Sequence, residues 1–113
     1  MVTLMSHRET TAMKNVKKKI LPQYFRDVSM GIKTFELRKD EDDIQPGDVL
    51  DLLEWTGTQY TGRNIRCAVT YVLRHCPEYG LMEGYCIIGI EAVGEVVATE
   101  NYTEYHSKKE HRT

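Results

Sequence analysis

The sequence has few of the features that mark secreted, metal-binding or membrane proteins. Its three cysteines, Cys67, Cys76 and Cys86, form no C-x-x-C pair, which argues against both a disulfide framework and a zinc site. No apolar run approaches the roughly 18 residues of a membrane span. The N-terminal stretch MVTLMSHRETTAMKNVKKK also lacks the apolar core of a secretory signal. We therefore expect a reduced, cytoplasmic protein with no metal, no cofactor and no membrane contact.

Common enzyme signatures are missing as well. The sequence contains no G-x-x-x-x-G-K phosphate loop, no G-x-G-x-x-G, no H-E-x-x-H and no G-x-S-x-G. Three of its four histidines fall in the expected terminal segments, which leaves only His75 for histidine-based catalysis.

Charge is distributed unevenly along the chain. The formal net charge is −2 and the pI is about 6.1, yet residues 1–39 carry a balance of +6 and residues 40–113 one of −8. The basic third can attract phosphates, although the overall pI is not that of a typical nucleic-acid binder. The alternative is that the basic stretch KNVKKK, residues 14–19, is only a solvated segment that leads into the domain.

The length of 113 residues favours one domain. We predict a flexible lead-in over residues 1–17, the domain over 18–92 and a partly ordered or disordered tail over 93–113. A short strand at 18–21 is followed by Pro22, which suits the first turn of a helix, and Gly31 ends that helix.

Hydrophobic alternation predicts the strands. Residues 32–38 alternate so that Phe35 and Leu37 face the core and Glu36 and Arg38 form the polar face. The acidic run 40–43 is predicted to be a solvated loop. Three further strands are expected. The first spans 48–55, the second follows the hairpin turn after it, and the third spans 85–90, where YCIIGI suits a buried central strand.

The strand after the hairpin has the clearest pattern, and a loop with one possible helical turn follows it. One face is expected to carry Ile65, Cys67, Val69, Tyr71 and Leu73. Several short strands with one early helix predict an α+β, mainly β fold, built as a small barrel or strongly curved sheet.

The stretch GIKTFELRKDEDD, residues 31–43, places opposite charges at nearby positions of one predicted strand. Lys33, Glu36 and Arg38 can form an intramolecular salt-bridge network that braces the barrel. They can equally line a polar cleft for a charged ligand, because a carboxylate near two cations stays ionised and holds them in place.

These residues also carry a family resemblance. Gly31, Lys33, Glu36 and Arg38 match G-x-K-x-x-E-x-R, which resembles the signature of the ASCH domain family, whose fold is PUA-like. The likeness continues through GD.L.L.EW, YTGR, VTYVL and GL..GY.I.GI, over roughly residues 19–91, to a bacterial and phage subfamily of unknown function. It implies a small PUA-like β-barrel with a helix at its start and an RNA, nucleotide or nucleoside ligand beside the motif strand.

Under this resemblance each motif residue has a chemical role. Lys33 can hold a phosphate as a point charge, and Arg38 can grip one with two hydrogen bonds. Glu36 can accept a hydrogen bond from the amino edge of a base, or a proton.

Aromatic and basic residues outside the motif are secondary candidates. Trp55, Tyr60 and Tyr85 can stack on a base, and Arg63 and Arg66 can contact phosphates. Each also has a plainer explanation as rim packing, a strand start or ordinary surface.

Two further function classes remain open. The family's nucleoside amidohydrolases use a lysine with a threonine nucleophile at the place that Glu36 holds here. An enzyme would therefore draw on Lys33, Thr34 and Glu36, as an amidohydrolase or as a metal-independent ribonuclease. The histidine expected before the first strand in the close subfamily is replaced by Val16. The third class is a protein-interaction module of phage or mobile-element origin that uses the acidic surface after residue 40.

Overall fold

The fold is mainly β with a single α-helix among the residues that the computed structural model describes, 13–96. In chain order the elements are β1 (Asn15–Ile20), α1 (Pro22–Ser29), β2 (Phe35–Lys39), β3 (Val49–Trp55), β4 (Tyr60–Leu73), a 3-10 turn (Pro77–Tyr79) and β5 (Tyr85–Val96). The predicted fold class and the helical turn in the loop after β4 are confirmed.

The five strands form one sheet in the order β1-β3-β4-β5-β2, curled into a half-barrel. β1 runs parallel to β3, and all other neighbours are antiparallel. β1 and β2 are therefore the two edge strands, and a seam between them is left without a strand ladder. The predicted strand at 85–90 is confirmed as an interior strand, since β5 lies between β4 and β2.

Helix α1 packs against the core of the half-barrel. Pro22 occupies its first turn, and Phe25 and Val28 bury its apolar side against the core. The helix ends before Gly31, which adopts a left-handed φ of 75°, a conformation that glycine takes without a Cβ clash. The predicted helix and its terminating glycine are confirmed.

The strands extend beyond the predicted domain limits of 18 and 92. β1 begins at Asn15 and β5 continues to Val96. The remainder of the predicted lead-in and tail, residues 1–12 and 97–113, lies outside the described residues. Within residues 13–96 no helix has the length and hydropathy needed to cross a membrane, and no His, Cys, Asp and Glu cluster is suited to a metal ion.

The predicted faces of β2 were wrong. Glu36 is only 3% exposed and faces the interior, whereas Phe35 and Leu37 are 47% and 57% exposed. The prediction assumed that apolar residues mark the inner face. In the structure Lys33 and Arg38 form ion pairs with the buried Glu36. The register of β2 with β5 then places Phe35 and Leu37 on the outer face.

The predicted face of β4 was right only in its first half. Ile65, Cys67 and Val69 are buried, but Tyr71 is 62% exposed and Leu73 is also exposed. The pairing with β5 shifts between Val69 and Tyr71, and the extra residue inverts the alternation beyond it.

The bulge residue is Thr70, whose hydroxyl lies over Gly89 of β5. A Cβ at Gly89 would approach Thr70 Oγ1 to 2.8 Å, so the glycine leaves room for the bulge. After the bulge, Tyr71 and Leu73 lie on the outer face, across β5 from Phe35 and Leu37.

The acidic run 40–43 is not a simple solvated loop, because ion pairs fix it to the half-barrel. Arg74 binds Asp40 through Nε at 2.6 Å and Nη2 at 3.1 Å, and Lys18 Nζ lies 2.6 Å from Asp42 Oδ2. Arg74 holds the pKa of Asp40 below its ordinary value, and the hydrogen bond that Lys18 donates to Asp42 raises the pKa of Lys18. The loop is therefore anchored to the fold by Arg74 and Lys18, which offset two of its four negative charges.

Candidate functional site

A cleft of about 460 Å³ opens where the two edge strands face each other. Its lining comes from the end of β1, the start of α1, the loop before β2 and β2 itself: Lys19, Ile20, Leu21, Tyr24, Lys33, Phe35, Glu36, Leu37 and Arg38. The cleft exists because β1 and β2 do not pair with each other. It contains all three charged residues of the motif, which supports the predicted placement of a cleft beside the motif strand.

Local backbone contacts fix the start of the motif against the helix. The amides of Ile32 and Lys33 both donate to the carbonyl of Asp27, at 2.9 and 3.0 Å. Because Gly31 turns the chain at this point, Lys33 emerges from the end of the helix directly beside β2.

Glu36 is the centre of the charged network, and both of its carboxylate oxygens are occupied. Oε2 accepts from Lys33 Nζ at 2.5 Å, and Oε1 accepts from Arg38 Nε at 2.8 Å and lies 2.6 Å from Arg38 Nη2. A carboxylate that already accepts from two cations is poorly placed to bind a base edge or a proton. Glu36 therefore positions Lys33 and Arg38.

Arg38 also crosses the seam. Its Nη2 donates to the backbone carbonyl of Lys19 on β1, at 2.8 Å, so one guanidinium links the two edge strands. Among residues 13–96 the remaining nitrogen, Nη1, has no hydrogen-bond partner, and its two N–H groups stay available to a ligand.

Lys33 is similarly held with one donor to spare. Its ammonium donates to the Phe35 carbonyl at 2.6 Å as well as to Glu36, which uses two of its three N–H groups. It also lies 4.8 Å from the centroid of the Phe35 ring and 5.6 Å from that of Tyr24. Two half-exposed aromatic rings thus border the cation.

The backbone of β2 adds a further donor. The amide of Ile90 donates to the carbonyl of Thr34, which makes Thr34 and Ile90 a hydrogen-bonded pair of the antiparallel ladder. Hydrogen-bonded and non-bonded pairs alternate, so the backbone groups of Phe35 and Leu37 point away from β5 and toward the seam. The Lys33 contact to the Phe35 carbonyl fits this geometry.

The charge of Glu36 influences a buried residue of the core, Cys67. Burial raises the pKa of this thiol to about 12, and the nearby Glu36 and Asp51 carboxylates contribute to the rise. The side chain is fully buried and protonated at neutral pH, so it is not a nucleophile.

The secondary candidates do not line the cleft. Tyr60 packs edge-to-face on Trp55 with the ring centroids 4.8 Å apart, and Arg63 lies over the Phe25 ring at 4.6 Å. Tyr85 lies opposite Lys39 at the far end of β2.

Two other sequence candidates also lie outside the lining. Arg66 binds Asp51 with both nitrogens of a fork, at 2.9 and 3.0 Å. Thr34 is exposed next to the motif without reaching the cleft.

Sequence reasoning predicted Lys33, Glu36 and Arg38 and missed the other six lining residues, among them Lys19 and Tyr24. Lys19 ends the basic run before Pro22, and nothing in that run indicates that its backbone carbonyl accepts a hydrogen bond from Arg38 of β2. Tyr24 precedes Phe25 in the helix, and Phe25 is fully buried whereas Tyr24 is 44% exposed. Neighbouring residues of a helix point about 100° apart, and this geometry could have predicted that Tyr24 and Phe25 differ in burial.

Fold and site together define a small half-barrel protein with a cationic cleft at its open seam. The chain belongs to the family described as a domain of unknown function (DUF3850), which matches residues 16–90. This span includes every residue that lines the cleft. No curated protein matches the chain.

Proposed function

We propose that the chain binds a nucleotide or single-stranded RNA through the cleft at the seam. The observation that carries this proposal is that Lys33 and Arg38, each with donors beyond those they use within residues 13–96, line one open cleft together with the unpaired backbone edge of β2. Such a set suits the oxygens of a phosphate.

The charge of the cleft supports the same ligand class. Three cationic side chains and one carboxylate line it, a balance of +2 in a chain whose net charge is −2. The exposed rings of Tyr24 and Phe35 offer stacking surface for a base beside the cations. The resemblance of residues 31–38 to the ASCH signature agrees with this assignment.

The two rival classes have less support. Apart from the Tyr24 phenol, no hydroxyl or thiol lines the described cleft, which leaves a hydrolase without a serine, threonine or cysteine nucleophile there. The interaction module relied on the acidic surface after residue 40, but Arg74 and Lys18 engage the acids that begin it.

The test is an NMR amide-shift titration of the protein with adenosine, AMP and a short single-stranded RNA. We expect shifts in residues 31–38 with AMP and RNA, and weak shifts with adenosine, which has no phosphate. Arg38→Ala should lower the AMP affinity about 10- to 100-fold, because a hydrogen bond to a charged group is worth about 1.5–3 kcal/mol.

Arg26→Ala is the matched control, since it removes the same charge from an exposed helix position outside the cleft. Equal losses in the two variants would indicate diffuse electrostatic attraction instead of a site. Absence of any shift in residues 31–38 would contradict the proposal. Time-dependent change in the signals of the ligand itself would replace binding with catalysis.

A further inference from the structure

An aromatic platform lies next to the cleft on the β3–β4 hairpin. It consists of Trp55 and Tyr60, which face each other across the strand pair with their rings inclined at 66°. Both side chains are half-buried, so each presents part of a ring to solvent. The pair is thus an edge-to-face stack with surface left for a third ring.

Lys19 joins the platform to the cleft. Its backbone carbonyl accepts from Arg38, and its ammonium lies 4.1 Å from the centroid of the Trp55 ring and 5.8 Å from that of Tyr60. Lys19 alone therefore connects the Arg38 guanidinium to the platform. No other side chain is needed to connect them.

The ammonium of Lys19 is also held loosely. Among the described residues no carboxylate pairs with it, in contrast to Lys18, which has Glu41 and Asp42. An exposed cation over a ring is a weaker interaction than a base stacked on the same ring. A base can therefore take the place of the ammonium, which then remains near enough to neutralise the following phosphate.

We infer that the binding site extends across the end of β1, from the cleft to the Trp55–Tyr60 platform, and takes a single strand of at least two nucleotides. One phosphate lies on Arg38 and Lys33, and the base of the adjacent nucleotide stacks on Trp55. This inference rests on the proposed function, since it presupposes that the cleft holds a phosphate. It defines the ligand class as a single-stranded oligonucleotide and separates it from free mononucleotides.

The test compares AMP with the dinucleotide pApA on the full chain. Trp55 is the only tryptophan, so its fluorescence reports on the platform alone. We expect pApA to bind about tenfold more tightly than AMP, the gain of one stacked base, and to quench Trp55 emission where AMP does not. In Trp55→Leu the ratio of the two affinities should fall from about ten to about one, while Trp55→Phe, which keeps a ring, should retain part of it.

The outcomes separate this inference from the proposed function. If AMP and pApA bind the unaltered protein equally and both depend on Arg38, the cleft holds one nucleotide and the platform is only packing. If neither binds, the proposed function itself fails. Should Trp55→Leu not fold, the affinity ratio and the quenching in the unaltered protein still decide the question.

Discussion

Two carboxylates of the sheet, Glu36 in β2 and Asp51 in β3, are almost equally buried, at 3% and 2% exposure. Each is paired with arginine, and their surroundings differ. Asp51 lies in an interior strand and binds one guanidinium that is itself 45% exposed. Glu36 lies on an edge strand, holds two cations and faces an open cleft.

The difference shows that a buried, paired carboxylate is not in itself a functional site. Arg66 donates from Nε and Nη2 to Asp51 and does not line the cleft at the seam, and we interpret this pair as stabilising the sheet. Lys33 and Arg38 also keep unused donors, and both residues line the cleft. Both arginines keep donors that their carboxylates do not use, and what distinguishes the second cluster is that its residues line a cleft.

The largest expected effect is on the structural pair. Arg66→Met leaves Asp51 buried without its cation and should lower the free energy of unfolding by about 3 kcal/mol. Asp51→Asn leaves Arg66 able to reach water and should cost only about 1 kcal/mol. Urea denaturation of both variants checks the order, and equal losses would show that the guanidinium depends on its partner as much as the carboxylate does.

The second prediction concerns Glu36→Gln at the cleft. The variant removes a negative charge next to the phosphate site, which on charge alone would strengthen AMP binding. We expect about tenfold weaker binding instead, because the one carbonyl oxygen of glutamine can accept from only one of the two cations and its NH2 group faces the other, so that the pair loses its fixed geometry. Calorimetric titration measures the change, and tighter binding would mean that net charge outweighs positioning.

A third carboxylate, Asp40, gives a pH test with a smaller effect. Because Arg74 depresses its pKa, the pair adds stability above the unfolded pKa of about 3.9, and this is lost as the pH falls through the lower folded pKa. Asp40→Asn should therefore cost about 1 kcal/mol at pH 7. In thermal melts between pH 7 and pH 3 the gap to the unaltered protein should narrow only below about pH 4, and a constant gap would contradict the linkage.

The smallest expected effect is on the outer face of β2. Leu37→Ser should change the free energy of unfolding by less than about 0.5 kcal/mol, because the side chain is mostly exposed. Leu52→Ala, in the fully buried core of β3, is the reference and should cost about 2–5 kcal/mol. A comparable loss in both would overturn the inward orientation of Glu36.

The elements and the motif cluster could be predicted because their signals are local. Pro22 and Gly31 bound the helix, and the spacing of Lys33, Glu36 and Arg38 keeps them within one strand and its approach. The faces could not be predicted with equal success. The bulge at Thr70 depends on its fit against Gly89, and the inward turn of Glu36 depends on Arg38 meeting a carbonyl of β1. Both are contacts between segments distant in sequence, which a periodic pattern does not encode.

The open seam has a consequence for rates. Because β1 and β2 share no ladder, a ligand reaches the cleft without displacing a strand. We therefore expect association to be limited by diffusion and orientation, at or above about 10⁷ M⁻¹s⁻¹ with help from the cationic lining. Discrimination between ligands will then appear almost wholly in their dissociation rates, so that a preferred ligand is one that stays longer.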